Sequence, residues 1–216
     1  LSRLTNDDLS NDAFPFLRSR RITVAGTDCT ALRVSFTGEL GWELHCAEAD
    51  QVALYTALIE AGRDLDAGPV GSRALMSLRL EKGYGSWGRE YSPEYWPQES
   101  GLAGLIKMDK EFLNKSAYAA VADAPPRDTL VMFEVTANGA DASGGEPVFL
   151  PDGTPAGQVT SGAYGDHVGK SLALGYLMAG TAGPGDTVEI AILGQPHRAV
   201  VLERPPFDPE GTRLRG

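Results

Sequence analysis

The sequence predicts an α+β protein, with a mixed α+β part over residues 1–122 followed by a small antiparallel β-barrel over residues 123–216. Three observations carry this. Apolar residues alternate in short runs between positions 20 and 46. Two stretches, 47–61 and 72–82, repeat them at helical spacing. Beyond a proline-containing break at 122–128, six short β-like runs follow one another.

The 216 residues, 42% hydrophobic and 22% charged, hold enough apolar material for one or two cores. A formal net charge of −10 argues against a nucleic-acid partner, because phosphate binding needs a basic surface that displaces counterions. No run approaches the roughly 18 apolar residues of a membrane span, and the opening residues lack the basic and apolar regions of a secretory leader. The expected location is cytoplasmic, with no membrane partner. Cys29 and Cys46 are too few and too far apart in sequence for a disulfide framework or a zinc motif and are expected as a reduced cytosolic pair. His45, His167 and His197 show no ligand spacing, so no metal is expected.

Residues 1–20, rich in Asp and Asn before Phe14, Pro15 and Phe16, read as a polar turn or short helix leading into something packed. Strands are expected over 20–25 (Ile22, Val24), 31–36 (Leu32, Val34, Phe36) and 42–46 (Trp42, Leu44, Cys46). The helix expected over 47–61 has Glu48 and Asp50 in its first turn and Gly62 as its stop. A second helix over 72–82 has Ser72 as N-cap and Gly83 beyond its end. On it, Arg73 shares a stripe with Met76, Ser77 and Leu80 and points partly inward near the N-terminus, where a cation calls for an anion. Arg79 is either a site residue or paired with a structural carboxylate such as Glu81 or Glu43.

Tyr84, Trp87, Tyr91, Tyr95 and Trp96 then crowd into a stretch broken by Gly and Pro. They read either as a plug for the end of a core or as a stacking wall for a ring ligand. A short helix is expected over 115–121 with Asn114 as N-cap. The barrel strands are expected over 129–135, 147–150, 157–161, 171–176, 187–192 and 197–201, with turns that include Asn138 and Gly139. The tail over 205–216 is expected to drape over the surface.

One stretch points to a ligand: Phe36, Thr37, Gly38, Glu39, Leu40, Gly41, Trp42, Glu43. Read as a hairpin with a four-residue loop, 38–41, it sets Phe36 opposite Glu43 and puts ring and carboxylate on one face; a five-residue loop separates them. The paired form makes an apolar wall beside an acceptor for two parallel N–H bonds, which suits the 2-amino-4-oxo pyrimidine edge of a pterin.

That string, together with Leu78, Arg79, Leu80, Glu81, Lys82, Gly83, then Trp87 and Gly88, resembles the glycine-cleavage T-protein (aminomethyltransferase) family. The likeness is closest to the C-terminal folate-binding half of dimethylglycine dehydrogenase and sarcosine dehydrogenase. Gln158 to Gly162 and Lys170 to Tyr176 resemble the family's C-terminal barrel, and Phe207 to Gly211 its closing segment. The resemblance implies a flavin-dependent N-methyl amine dehydrogenase that passes a one-carbon unit to tetrahydrofolate. Glu43 would hold the pterin edge, Phe36 would stand where relatives usually carry tyrosine, and Arg73 would meet the folate tail carboxylates. Trp87 and Tyr84 are further candidate folate contacts. The family's essential aspartate lies in a part that precedes these motifs, and no Gly-x-Gly-x-x-Gly follows a strand here. The chain is therefore expected to be the C-terminal piece of a longer enzyme, with FAD in an upstream domain, a small methylated amine and folate as its small-molecule partners, and no dehydrogenase activity of its own. Two alternatives stand beside this: aminomethyl or methyl transfer to tetrahydrofolate, and a noncatalytic binding or structural module on the same fold.

Overall fold

The computed structural model describes residues 1–137 and 139–216, so the turn position expected at Asn138 lies outside the described residues. The chain forms two compact units, Leu1–Leu75 with Asp208–Gly216, and Met76–Phe207.

The first unit is built on an antiparallel sheet of β1 (Ser19–Val24), β2 (Thr27–Leu32) and β3 (Glu43–His45), in that order. The expected second strand is displaced toward the N-terminus. Ala25 (φ 49°) and Gly26 (φ 80°) both take left-handed conformations, which make a two-residue hairpin turn immediately after β1. One face of the sheet packs Ile22, Val24, Cys29 and Ala31 against Phe14 and Leu54, the latter from α1 (Gln51–Ala61). The tail does more than lie on the surface. Leu214 is 3% exposed, and the buried Arg33 guanidinium donates to the carbonyls of Phe14 (2.7 Å) and Arg215 (2.6 Å).

Helix α2 (Ser72–Glu81) crosses the division between the units and ends in a Schellman motif. Tyr84 N–H bonds the Arg79 carbonyl at 2.9 Å and Gly83 N–H bonds that of Leu80 at 2.8 Å. Gly83 has φ 70°, which a side chain would strain. The short helix α3 (Lys115–Ala119) follows Asn114, which takes a left-handed conformation and makes no side-chain capping bond, unlike the N-cap expected there.

The second unit holds the barrel. Its strands are β4 (Asp128–Val135), β5 (Pro147–Phe149), β6 (Pro155–Gly165), β7 (Lys170–Met178), β8 (Thr187–Ile192) and β9 (Gln195–Leu202). They close in the order β4-β7-β6-β5-β8-β9, all pairs antiparallel, with β9 returning to β4. All six expected strands are present. Phe133, Val148, Val159, Leu177, Val188, Ile190 and Val201 fill the interior. Strand β7 is buried on both faces, because Leu172 and Leu174 also pack with Leu80 of α2 and Met132.

Candidate functional site

The ring and the acid expected to share a hairpin face are not cross-strand partners. In the β2–β3 ladder Glu43 stands opposite Leu32, and Phe36 lies in the irregular connection over 33–42. The physical reason is local. Gly38 has φ 84° and donates its N–H to Ser35 Oγ at 2.9 Å. Gly41 brings its backbone so close to Val34 that a Cβ there would sit 2.7 Å from that carbonyl. Both glycines fold a broad loop rather than turn a four-residue corner. Phe36 is 38% exposed. The Glu43 side chain is 60% exposed, and its partner is His45 Nε2 at 3.4 Å on the same strand face. Beside it, a groove of about 430 Å³ is lined by Trp42, Leu44, His45, Cys46, Gln51, Leu54, Tyr55 and Leu58. Glu43 is not among its lining residues.

Arg73 is exposed in the first turn of α2 rather than turned partly inward. Arg79, in the second unit, is paired with neither Glu81 nor Glu43. It is 1% exposed and donates to Glu90 Oε2 (3.1 Å), Ser161 Oγ (2.6 Å) and the Tyr84 carbonyl (2.8 Å). Glu90 is fully buried and also receives Ser86 N–H at 2.8 Å and Thr160 Oγ1–H at 2.6 Å. Burial pushes its carboxyl up. Hydrogen bonds from Ser161, Thr160 and Ser86, with the Arg79 charge, outweigh that and hold it below the usual carboxylate range. Thr160 reaches this cluster because a bulge in β6 leaves it out of the register with β7, where Val159 faces Gly175 and Ser161 faces Leu174.

The aromatic stretch divides by role. Tyr95 stacks on Tyr176 with ring centroids 3.5 Å apart. Tyr176 donates to the Glu90 carbonyl at 2.8 Å, and burial pushes its hydroxyl up to about 12. The Arg127 guanidinium lies 4.5 Å over the Trp96 ring and grips Glu99, which is 1% exposed. The Arg127 hydrogen bonds, aided by the N–H groups of Trp96 and Arg127, hold Glu99 down at about 2 against its burial. These rings plug and brace, whereas Tyr84 is half-buried and Trp87 is 85% exposed. Among the candidates of the second unit, Trp87 therefore offers the open ring face.

Gly83, Gly85 and Gly88 reproduce the spacing of a dinucleotide fingerprint. The run follows helix α2 rather than a strand and folds back through Gly88 N–H to the Tyr91 carbonyl at 2.9 Å. It opens no helix that could receive a pyrophosphate, so it does not fit a flavin nucleotide. Among the described residues no group of three or more His, Cys, Asp or Glu is placed to hold a metal ion. Among the described residues no helix is long and apolar enough to cross a membrane.

Sequence reasoning missed Arg33, Glu90, Glu99 and the Thr160–Ser161 pair. All are polar residues whose partners lie far off in sequence or in irregular chain.

Comparison with known proteins places these features in a family. The GCVT N-terminal domain matches residues 1–110, and the glycine cleavage T-protein C-terminal barrel domain matches residues 129–208. Mitochondrial dimethylglycine dehydrogenase of Homo sapiens is 36% identical over 217 residues, covering all of this chain and 25% of that protein. An aminomethyltransferase of Caldanaerobacter subterraneus subsp. tengcongensis is 31% identical over 205 residues, 94% of this chain and 54% of that one. The crystal structure of glycine cleavage system aminomethyltransferase T from Bartonella henselae superposes with a TM-score of 0.81 at 24% identity, covering 93% of this chain and 54% of that one, and so shares the fold. The chain thus spans a quarter to about half of the length of these relatives. With one family model over the sheet and its helices and the other over the closed barrel, the chain belongs to the glycine cleavage T-protein (aminomethyltransferase) family.

Proposed function

We propose that this chain is the folate-binding C-terminal portion of a flavin-dependent N-methyl amine dehydrogenase acting on dimethylglycine or sarcosine. FAD belongs to a domain upstream in the same natural polypeptide, and the one-carbon unit passes to tetrahydrofolate. The observation that carries this reading is the 36% identity to human dimethylglycine dehydrogenase over the whole of the chain. Folate contacts belong to residues 1–122, and residues 123–216 form the barrel domain. Glu43 is the acceptor for the pterin edge, a role suited to its exposed carboxylate and single weak partner in His45. Phe36 supplies an apolar ring surface, and Arg73, exposed on its helix, meets the tail carboxylates. Trp87 and Tyr84 are further contacts. Bound tetrahydrofolate supplies the nitrogens that accept the one-carbon unit.

A cytoplasmic location is part of this reading. The human relative is named as mitochondrial, so cell fractionation tests it directly. A second reading, aminomethyl transfer to folate without an upstream flavin, is favoured by the 31% identity to the aminomethyltransferase over 94% of the chain. Reduction of a bound flavin by sarcosine or dimethylglycine in the full natural polypeptide separates the two. Residues 1–216 alone are expected to show no such turnover.

The site is tested by calorimetric titration of 5-formyl-tetrahydrofolate into the full natural chain beside Glu43→Gln. Losing the carboxylate charge is expected to weaken binding by about 1.5–3 kcal/mol, roughly tenfold to 150-fold. Equal affinities for the two proteins would favour the noncatalytic module.

A further inference from the structure

The β2–β3 ladder pairs Leu32 with Glu43, Ala31 with Leu44 and Thr30 with His45. The ladder ends at Thr30 and His45, and carrying its register one residue past the end of β3 sets Cys29 against Cys46. Both thiols belong to the inward face of the sheet. Cys29 is 2% exposed within the core cluster, and Cys46 packs against the same cluster. Cys46 is also half-exposed and lines the 430 Å³ groove between β3 and α1. Directly opposed residues of an antiparallel ladder have Cα atoms about 4.5 or about 5.5 Å apart. Both spacings fall within the roughly 4.4–6.8 Å that a disulfide spans. Burial first, then the Cys46 thiol, Asp28 and Asp50, push the Cys29 thiol up. Cys29 therefore stays protonated, and Cys46 is the sulfur that a small oxidant entering the groove meets first.

We propose that Cys29 and Cys46 form a redox-active dithiol that closes into a cross-strand disulfide when it meets a hydroperoxide. The Cys46 sulfur, giving up its thiol proton, attacks one peroxide oxygen and the O–O bond breaks. Cys46 becomes a sulfenic acid, and the departing hydroxide takes the thiol's proton and leaves as water. The Cys29 sulfur then attacks the Cys46 sulfur, the S–O bond breaks, and that oxygen departs with the Cys29 proton as a second water. Two thiols lose two electrons and hydrogen peroxide gains them. The register carried past the end of β3 opposes the two residues, so closure needs little backbone movement. The bridge pins the short edge strand β3, which also carries Glu43, to the middle strand of the sheet.

The test uses the full natural chain. It is treated with hydrogen peroxide, quenched, alkylated and digested with trypsin, which cuts after Arg33 and so separates the two cysteines. The expected product is a linked pair of the peptides 22–33 and 34–63, two hydrogens lighter than their sum and returned to two alkylated peptides by dithiothreitol. In Cys46→Ser the linked pair is lost and Cys29 becomes fully alkylated. Should that variant fail to fold, Cys29→Ala decides by showing Cys46 arrested as sulfenic acid. The proposal is overturned if both cysteines remain alkylated after peroxide. It is also overturned if Cys46 collects as sulfinic acid while Cys29 stays free, or if either links to another cysteine instead.

Discussion

The three-stranded sheet and the closed barrel solve the same burial problem in opposite ways. The barrel returns β9 to β4, so every strand has two neighbours and the interior apolar residues are almost wholly covered. The sheet keeps β1 and β3 as edges and covers one face only, leaving Arg21, Thr23, Glu43 and the adjoining Phe36 toward solvent. Charge follows a similar divide, although the first unit also buries Arg33. The second unit buries Arg79, Glu90 and Glu99 and gives each several partners, with the Arg79 Nε left unpaired. The sheet leaves Glu43 with one weak partner. Polar groups locked in networks serve architecture, and those left open are the ones a ligand can recruit.

This contrast breaks most sharply at Glu90. Replacing it with Leu strands the Arg79 guanidinium in a dry interior, so urea unfolding is expected to show a loss of about 3–5 kcal/mol. A pair of truncations compares the two apolar cores. Leu177→Ala in the barrel, where the side chain is 1% exposed, is expected to cost about 2–5 kcal/mol. Leu44→Ala on the half-buried edge strand is expected to cost about 1 kcal/mol, because less area leaves water there. Similar costs at the two positions would erase the distinction.

Acid sharpens it further. Glu99 is held at about 2 in the folded chain against an ordinary value of 4.5. A depressed carboxyl stabilises the fold fully above its unfolded value and loses that contribution as pH falls toward the folded one. The melting temperature is therefore expected to drop between about pH 4.5 and about pH 2, and Glu99→Gln is expected to flatten that drop. The smallest effect belongs to Glu43→Gln, which should leave unfolding free energy within about 0.5 kcal/mol of the parent while weakening folate binding.

The six barrel strands were legible because period-two alternation and turn residues sit together in sequence, as in Val188, Ile190 and Ile192 of β8. The sheet's register was not. A pair of glycines signals that the chain bends but not how far, and here Gly38 and Gly41 serve a ten-residue connection, while the tight turn falls at Ala25 and Gly26. The Arg79 partner was equally hidden. Glu90 lies in irregular chain eleven residues on, and the bulge that delivers Thr160 has no one-dimensional signature. For the candidate site, the string from 36 to 43 singled out an acid and a ring, but their pairing depended on a register that only the fold settles.

The three tryptophans occupy very different surroundings: Trp42 lies edge-on to Phe14, Trp96 beneath Arg127, and Trp87 in the open. A collisional quencher such as acrylamide should reach Trp87 long before the other two. The molecule thus carries an intrinsic fluorescent reporter on the loop that Glu90 anchors, and anything that settles over that indole, whether a small molecule or another stretch of polypeptide, will announce itself as lost quenching without any label being added.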